Sequence, residues 1–133
     1  MRKENIFNSL DKKYRVLIAP LDWGLGHATR CIPIIKELIR LNFEVLIVAD
    51  KKIFSLLEKE FPGTVFLRHK GYEIEYSGRK SLFALTLFFQ FPKIILSIFK
   101  EKKWIKKNIR ENSIDAVISD NRFGMASKKI LSI

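Results

Sequence analysis

The sequence predicts an α/β protein built on a doubly wound, all-parallel sheet. Three observations carry this prediction: apolar runs of strand length, segments with helical apolar periodicity between them, and glycine or proline at several junctions. Strands that alternate with helices are typical of parallel sheets joined by right-handed crossovers. At 133 residues, of which 47% are apolar, the chain has room for one domain with one core.

The first elements are a strand, a loop, a helix and a second strand. Residues 15–20 form an apolar run that ends at Pro20, as expected of a buried parallel strand. A glycine-containing loop then leads into a helix predicted over residues 32–41. Pro33 lacks an N–H and is expected in the first turn of that helix or at a kink. Residues 44–49 form the second buried strand.

The later elements continue the alternation and set the topology. They are a short helix over 54–61, a third strand over 64–68, an apolar stretch over 82–99 that continues as a basic helix to 110, a fourth strand over 114–119, a helical turn over 125–129 and the start of a fifth strand over 130–133. Right-handed crossovers give the order 3-2-1-4-5, a Rossmann-like sheet. We expect a polar N-terminal arm over 1–13 and one domain over 14–133, truncated within its fifth strand.

Charge is distributed unevenly along the chain. The formal net charge is +11, and the segment from Arg68 to Arg110 holds eleven Lys and Arg against three acids. Such asymmetry indicates an anionic partner, which would be nucleic acid, anionic lipid headgroups or a phosphorylated substrate, unless the basic face serves only solubility. The single cysteine, Cys31, excludes an internal disulfide and fits a reducing cytoplasm. Residues 1–15 lack the apolar run of a secretory signal.

The apolar stretch 82–99 has two interpretations. Gln90, Pro92 and Lys93 lie at its centre and argue against a transmembrane helix. It then forms either core helices kinked or broken at Pro92, or a membrane-facing surface. In the second case Phe88, Phe89 and Phe91 enter the lipid interface while Arg79, Lys80 and the lysines of 100–107 meet anionic headgroups, within a contact region of 79–107. Trp104 and these lysines could also contact nucleic acid, but no nucleic-acid-binding motif is present, so we predict no such partner.

The residues that carry chemistry follow strands 1 and 4. In a doubly wound sheet the ligand crevice lies beyond the carboxyl ends of the strands at which the order reverses. The loop after strand 1 carries Gly24, Gly26, His27 and Arg30, and the loop after strand 4 carries Asp120, Asn121 and Arg122. Topology therefore places the two loops face to face, although they are about 93 positions apart.

Each of these residues has a functional and a structural interpretation. The glycines allow a tight turn and close approach of a ligand, and the N–H groups of the next helix favour an anion. His27 oriented by Asp120 would be a general base for a sugar or lipid hydroxyl, because the carboxylate fixes the imidazole tautomer. Alternatively His27 caps a turn, Asp120 caps the following helical turn and Arg30 is a surface residue.

A dinucleotide site is the main competitor for this glycine loop. Asp50, at the end of strand 2, is placed to bind a ribose hydroxyl. However, Thr29 stands where the third glycine or alanine of that motif is expected, and the loop is long, with Asp22 and Trp23 preceding the glycines.

The segment Gly24-Leu-Gly-His-Ala-Thr-Arg30, with Pro33 nearby, resembles the first glycine-rich loop of GT-B glycosyltransferases of the family-28-like group. The segment from Ile118 to Gly124 looks like the matching segment after strand 4 in uncharacterised bacterial members. The resemblance implies the N-terminal, acceptor-binding domain of a two-domain enzyme, with His27 as base and Asp120 as its orienting residue. It also implies substrate binding by Gly24, Gly26, Arg30, Asn121 and Arg122, with no metal or cofactor.

The implied reaction transfers a hexose or N-acetylhexosamine from a nucleotide-sugar to a lipid or lipid-linked acceptor. In GT-B enzymes the C-terminal domain holds most of the donor, and this sequence contains no such domain. We therefore expect the chain to be inactive alone, either as a truncated product or as one subunit of a split enzyme. The expected location is the cytoplasm, peripheral to the inner face of the plasma membrane. The alternatives are a non-catalytic membrane-surface or scaffold module and a nucleotide-binding Rossmann fragment.

Overall fold

The computed structural model describes residues 12–71 and 83–133 and confirms the predicted α/β class. Within these residues the strands are β1 (Arg15–Pro20), β2 (Glu44–Val48), β3 (Val65–Leu67), β4 (Ala116–Asp120) and β5 (Leu131–Ser132), and the helices are α1 (Leu25–Arg40), α2 (Lys51–Glu60) and α3 (Phe83–Glu111). All strand pairs are parallel and the order is β3-β2-β1-β4-β5, so the Rossmann-like order 3-2-1-4-5 is confirmed. Most of the polar arm predicted over 1–13 lies outside the described residues. Arg79 and Lys80 of the predicted membrane-contact region also lie outside them.

Helices cover both faces of the sheet because the central strands are apolar at every position that faces a helix. Side chains alternate between the two faces of a strand. Ile18 and Ile47 therefore pack on one face with Ile35 of α1 and with α2, whereas Leu17 packs on the other face with Ile105 of α3. This two-sided burial is the reason that β1 and β2 read as continuous apolar runs.

Helix α1 begins at Leu25, so the predicted start at residue 32 is wrong. The apolar period is missing from its first two turns because only the small residues Ala28 and Cys31 are buried there. The glycine loop is correspondingly short, and Gly26, His27 and Arg30 belong to the helix. Pro33 lies inside α1 rather than in its first turn.

The segment after β4 contains turns and no helix, so the helical turn predicted over 125–129 is wrong. Backbone groups there bond to serine side chains instead: the Oγ of Ser132 accepts the N–H of Ser127 at 3.0 Å and donates to the carbonyl oxygen of Ser127 at 3.0 Å. Such local bonds compete with the helical pattern.

Helix α3 continues through Pro92, so of the kink or break predicted at this residue the break does not occur. The N–H that proline lacks would have bonded the carbonyl of Phe88, which lies at an exposed position where water can replace it. The C-terminal half of α3 packs on the sheet through Ile105, which lies beyond the apolar stretch 82–99. Most described side chains of that stretch are exposed, so the structure does not support the core-helix interpretation for it. Among the described helices, none combines the length and apolar character needed to cross a bilayer.

Candidate functional site at the carboxyl ends of β1 and β4

The two predicted loops begin side by side. Pro20 and Asp120, the last residues of β1 and β4, are register partners in the parallel ladder. Both loops therefore leave the sheet at its carboxyl edge, at the point where the strand order reverses. The two segments therefore meet at the switch point where topology predicts a ligand crevice.

The N-terminus of α1 forms one wall of the crevice. Gly24 is its N-cap, with φ of 118° and ψ of 174°, a conformation that L side chains rarely adopt. Among the described residues no side-chain hydrogen bond caps this end, and no acidic residue lies in the first turn. The first-turn N–H groups and the positive end of the helix dipole are thus available to an anion. A Cβ at Gly26 would meet no atom within 4 Å, so the protein itself does not require glycine there.

His27 and Asp120 are in direct contact across the crevice. His27 Nδ1 lies 2.8 Å from Asp120 Oδ2, and both side chains are about three-quarters buried. Arg30, one helical turn beyond His27, approaches the same carboxylate: its Nη2 donates to Oδ2 at 2.9 Å and to Oδ1 at 3.1 Å. The Arg30 side chain is nevertheless 63% exposed. Asp120 thus contacts both His27 and Arg30 of α1 and does not act as a cap for a following helix.

The proton on the His27 ring is determined by its neighbours. Nδ1 also lies 2.7 Å from Arg30 Nη2, and one ring nitrogen cannot donate to Asp120 and accept from Arg30 at once. The carboxylate can only accept, and Arg30 already bonds both of its oxygens. For the neutral ring the consistent arrangement is an Nδ1–H that donates to Asp120, which leaves the Nε2 lone pair for a substrate proton.

The structure does not bring Arg122 to this pair. Its Nε donates to Glu101 Oε1 at 2.8 Å, and both side chains are 1% exposed. Its Nη2 donates to His69 Nδ1 at 3.0 Å and lies 3.3 Å from the carbonyl oxygen of Lys70. In this position Arg122 joins α3 to the loops after β3 and β4 and holds protein groups rather than a ligand.

Asn121 lies between these two clusters and is exposed, with φ of 60° in the left-handed region. It lines a shallow groove together with Phe123 and Ile133. Gly124 follows and is packed against α3, since a Cβ there would collide with the Cβ of Glu101 and the carbonyl oxygen of Ile98. The loop after β4 is therefore held closely on α3.

Sequence reasoning did not predict the third loop of the crevice, which follows β3. Gly71 in this loop lies against the side chain of Asp22. Burial, and next the carboxylate of Asp50, raise the pKa of Asp22. Burial, and next Arg122, lower the pKa of His69. The position of His69 and Gly71 just beyond a strand was the signal that could have identified them.

Asp50 is the N-cap of α2, without a side-chain capping bond. Within residues 12–71 and 83–133, no three His, Cys, Asp or Glu side chains come together as metal ligands would.

In comparisons with protein-family models, curated proteins and solved structures, no match to the chain was found.

Proposed function

We propose that the chain is the acceptor-binding half of a nucleotide-sugar-dependent glycosyltransferase of GT-B architecture. It would transfer a hexose or N-acetylhexosamine to a hydroxyl group of a lipid or lipid-linked acceptor, at the cytoplasmic face of the plasma membrane. The observation that carries the proposal is the 2.8 Å contact between His27 Nδ1 and Asp120 Oδ2 at the topological switch point. The two side chains come from separate elements, α1 and the end of β4, which suits a base and its orienting residue.

The proposed step is a direct displacement. The acceptor oxygen attacks the anomeric carbon of the donor sugar, the new C–O bond forms, and the bond from that carbon to the diphosphate oxygen breaks. His27 Nε2 takes the hydroxyl proton, and the nucleoside diphosphate leaves with the bonding electron pair. Asp120 stabilises the imidazolium that forms.

The glycine loop supports an acceptor site next to this base. The uncapped N-terminus of α1 would bind a phosphate group, and the open space beside Gly26 allows an acceptor to approach the backbone. Trp23 and Phe123 expose aromatic rings in the loops on either side, where a sugar or an alkyl chain can stack. The donor would be held by a C-terminal domain or a separate subunit, as the resemblance implies.

A second candidate is a non-catalytic membrane-surface module. One observation favours it: the exposed apolar side chains in the N-terminal half of α3, far in sequence from His27 and Asp120. Under this alternative the crevice binds no acceptor.

An amide-resolved NMR titration of the chain separates the candidates. The probes are octyl glucoside below its micellar concentration, dihexanoylglycerol, UDP-N-acetylglucosamine and NADH. We expect octyl glucoside or dihexanoylglycerol to shift the amides of Gly24, Gly26 and Asn121, and UDP-N-acetylglucosamine to shift them little. Shifts from NADH alone would support a dinucleotide site, and no shifts from any probe would support the non-catalytic module.

The catalytic role is tested separately, with a donor-binding domain supplied. His27→Ala is expected to lower transfer about 10²- to 10⁴-fold, the usual contribution of a general base, while donor affinity is retained. Unchanged turnover would remove His27 from the mechanism.

A further inference from the structure

Helix α3 has an unusual outward face, which changes from apolar to basic along its length. At spacings of three and four residues this face presents first an apolar half and then a basic half. The apolar half is Leu85, Phe88, Phe89, Leu96 and Phe99, whose side chains are 54–74% exposed. The basic half is Lys100, Lys103, Lys106, Lys107 and Arg110, all exposed.

The apolar half is inverted relative to an ordinary surface helix. Gln90 is buried toward the protein, as is Glu101 at the junction with the basic half, whereas the phenylalanines Phe88, Phe89 and Phe99 are exposed. Surface helices normally bury their apolar stripe and expose their polar one. A contiguous exposed apolar patch of this kind marks an interaction surface.

The basic half borders a groove of about 500 Å³ between α3 and the segment before β5. Lys103, Lys106 and Arg110 line it from α3, and Ser127 and Lys129 line it from the opposite side. None of the described residues lining the groove is acidic. Like charges around a concave surface attract an anion strongly, and a phosphate group is of suitable size and charge.

Charge complementarity identifies the occupant of the outward face. A second copy would bring an equally basic protein against this surface, which like-charge repulsion disfavours. Apolar aromatic side chains beside lysines are typical of segments that lie in the interface of an anionic bilayer. Lys102 Nζ lies 5.9 Å from the centre of the Phe99 ring, so a cation and an aromatic side chain meet where the two halves join.

We propose that the outward face of α3 docks on a bilayer that contains anionic phospholipids. The apolar half enters the boundary between headgroups and acyl chains, and the groove lined by Lys106 and Lys129 binds lipid phosphate groups. No residue of the crevice takes part, so this proposal stands independently of the glycosyltransferase proposal, and either can fail alone.

Co-sedimentation with vesicles tests the docking, using phosphatidylcholine vesicles with and without a substantial fraction of phosphatidylglycerol at low salt. We expect binding to the anionic vesicles and little binding to the neutral ones. Lys106→Gln/Lys129→Gln should weaken binding about tenfold or more, because each cation near an anionic surface contributes roughly a fivefold factor. The control Lys13→Gln/Lys59→Gln makes the same change in net charge elsewhere and should weaken binding much less.

A second pair of double variants tests the contribution of the apolar half to vesicle binding. Phe88→Ser/Leu96→Ser should also weaken vesicle binding about tenfold, since both side chains leave water on docking. Ile34→Ser/Leu41→Ser, which changes exposed apolar residues of α1 and of its C-cap, should leave vesicle binding nearly unchanged. Circular dichroism confirms that each variant remains folded.

Three outcomes would overturn the proposal. The first is no binding to anionic vesicles at low salt. The second is equal loss in the control pairs, which would indicate only the general attraction of a basic protein. The third is tight binding of a single-stranded oligonucleotide through Lys106 and Lys129 without binding to vesicles, which would assign the basic half to nucleic acid.

Discussion

Arg122 and Glu101 form a buried ion pair that fastens α3 to the loop after β4, with an Nε–Oε1 distance of 2.8 Å. The second carboxylate oxygen of Glu101 accepts the N–H of Gly124 at 3.1 Å, so one side chain holds two points of that loop. Asp120, the last residue of β4, lies two residues before Arg122. The loop that follows the crevice carboxylate is therefore anchored on the helix that carries the outward face.

Removing one member of this pair should destabilise the fold strongly. Glu101→Leu leaves the guanidinium buried without its partner and should lower the free energy of unfolding by about 3–5 kcal/mol. The double variant Glu101→Leu/Arg122→Met should lose much less, because no unpaired charge remains. Urea denaturation measures both. With Arg122→Met measured as well, losses of the two single variants that simply add in the double variant would show that the ion pair is not the reason for the loss.

The two glycines at the start of α1 should respond in opposite ways to alanine. Gly26→Ala should raise stability by about 0.5 kcal/mol, because alanine favours the helix and its Cβ meets no atom. Gly24→Ala should lower stability by about 1–3 kcal/mol, because its φ of 118° strains an L residue. Urea denaturation gives both values.

The same Gly26 variant also tests the acceptor site. A stable Gly26→Ala protein that no longer shows amide shifts with octyl glucoside or dihexanoylglycerol would place the ligand against this backbone. Unchanged shifts would show that the ligand binds elsewhere.

Cys31 should be an inert thiol in the folded protein. Burial, together with the Asp120 carboxylate, raises its pKa to about 11. At pH 8 only about 0.1% is then thiolate, and alkylation by iodoacetamide should be at least about tenfold slower than in the urea-unfolded chain. Rapid alkylation of the native protein would contradict this environment.

The raised pKa of Cys31 also gives stability a defined pH dependence. The folded state holds the thiol proton more tightly than the unfolded state, so the contribution is fully present below pH 9 and is lost as pH rises toward about 11. Denaturation curves across this range should show a smaller fall for Cys31→Ala than for the unchanged protein. Equal falls would assign the pH dependence to other groups.

The sequence predicted those parts of the fold that depend on local pattern and handedness. Buried parallel strands are continuous apolar runs, and right-handed crossovers leave one strand order, so the meeting of His27 with Asp120 followed from topology. The start of α1 was missed because its first turns border the crevice and bury only small residues. Burial of Arg122 was not predictable, because its partner Glu101 is 21 positions away on a helix whose orientation depends on tertiary packing.

The outward face of α3 shows the same limit. Polar residues recur in this stretch at spacings of four and three, at Thr86, Gln90 and Lys93, but periodicity alone does not say which stripe faces the protein. In the structure Gln90 is buried and the phenylalanines are exposed. Hydrophobic periodicity predicted a helix here correctly, and only three-dimensional packing showed its orientation.

The tautomer of His27 tests the central claim most directly, and it can be measured on the chain alone. The sequence has two histidines, so a long-range ¹H–¹⁵N spectrum of the neutral rings, assigned with His69→Gln, reports both. We expect opposite tautomers: His27 protonated on Nδ1, which donates to Asp120, and His69 protonated on Nε2, because its Nδ1 accepts from Arg122. A His27 ring protonated on Nε2, with Nδ1 accepting from Arg30, would leave no lone pair for the acceptor proton and would contradict its role as the base.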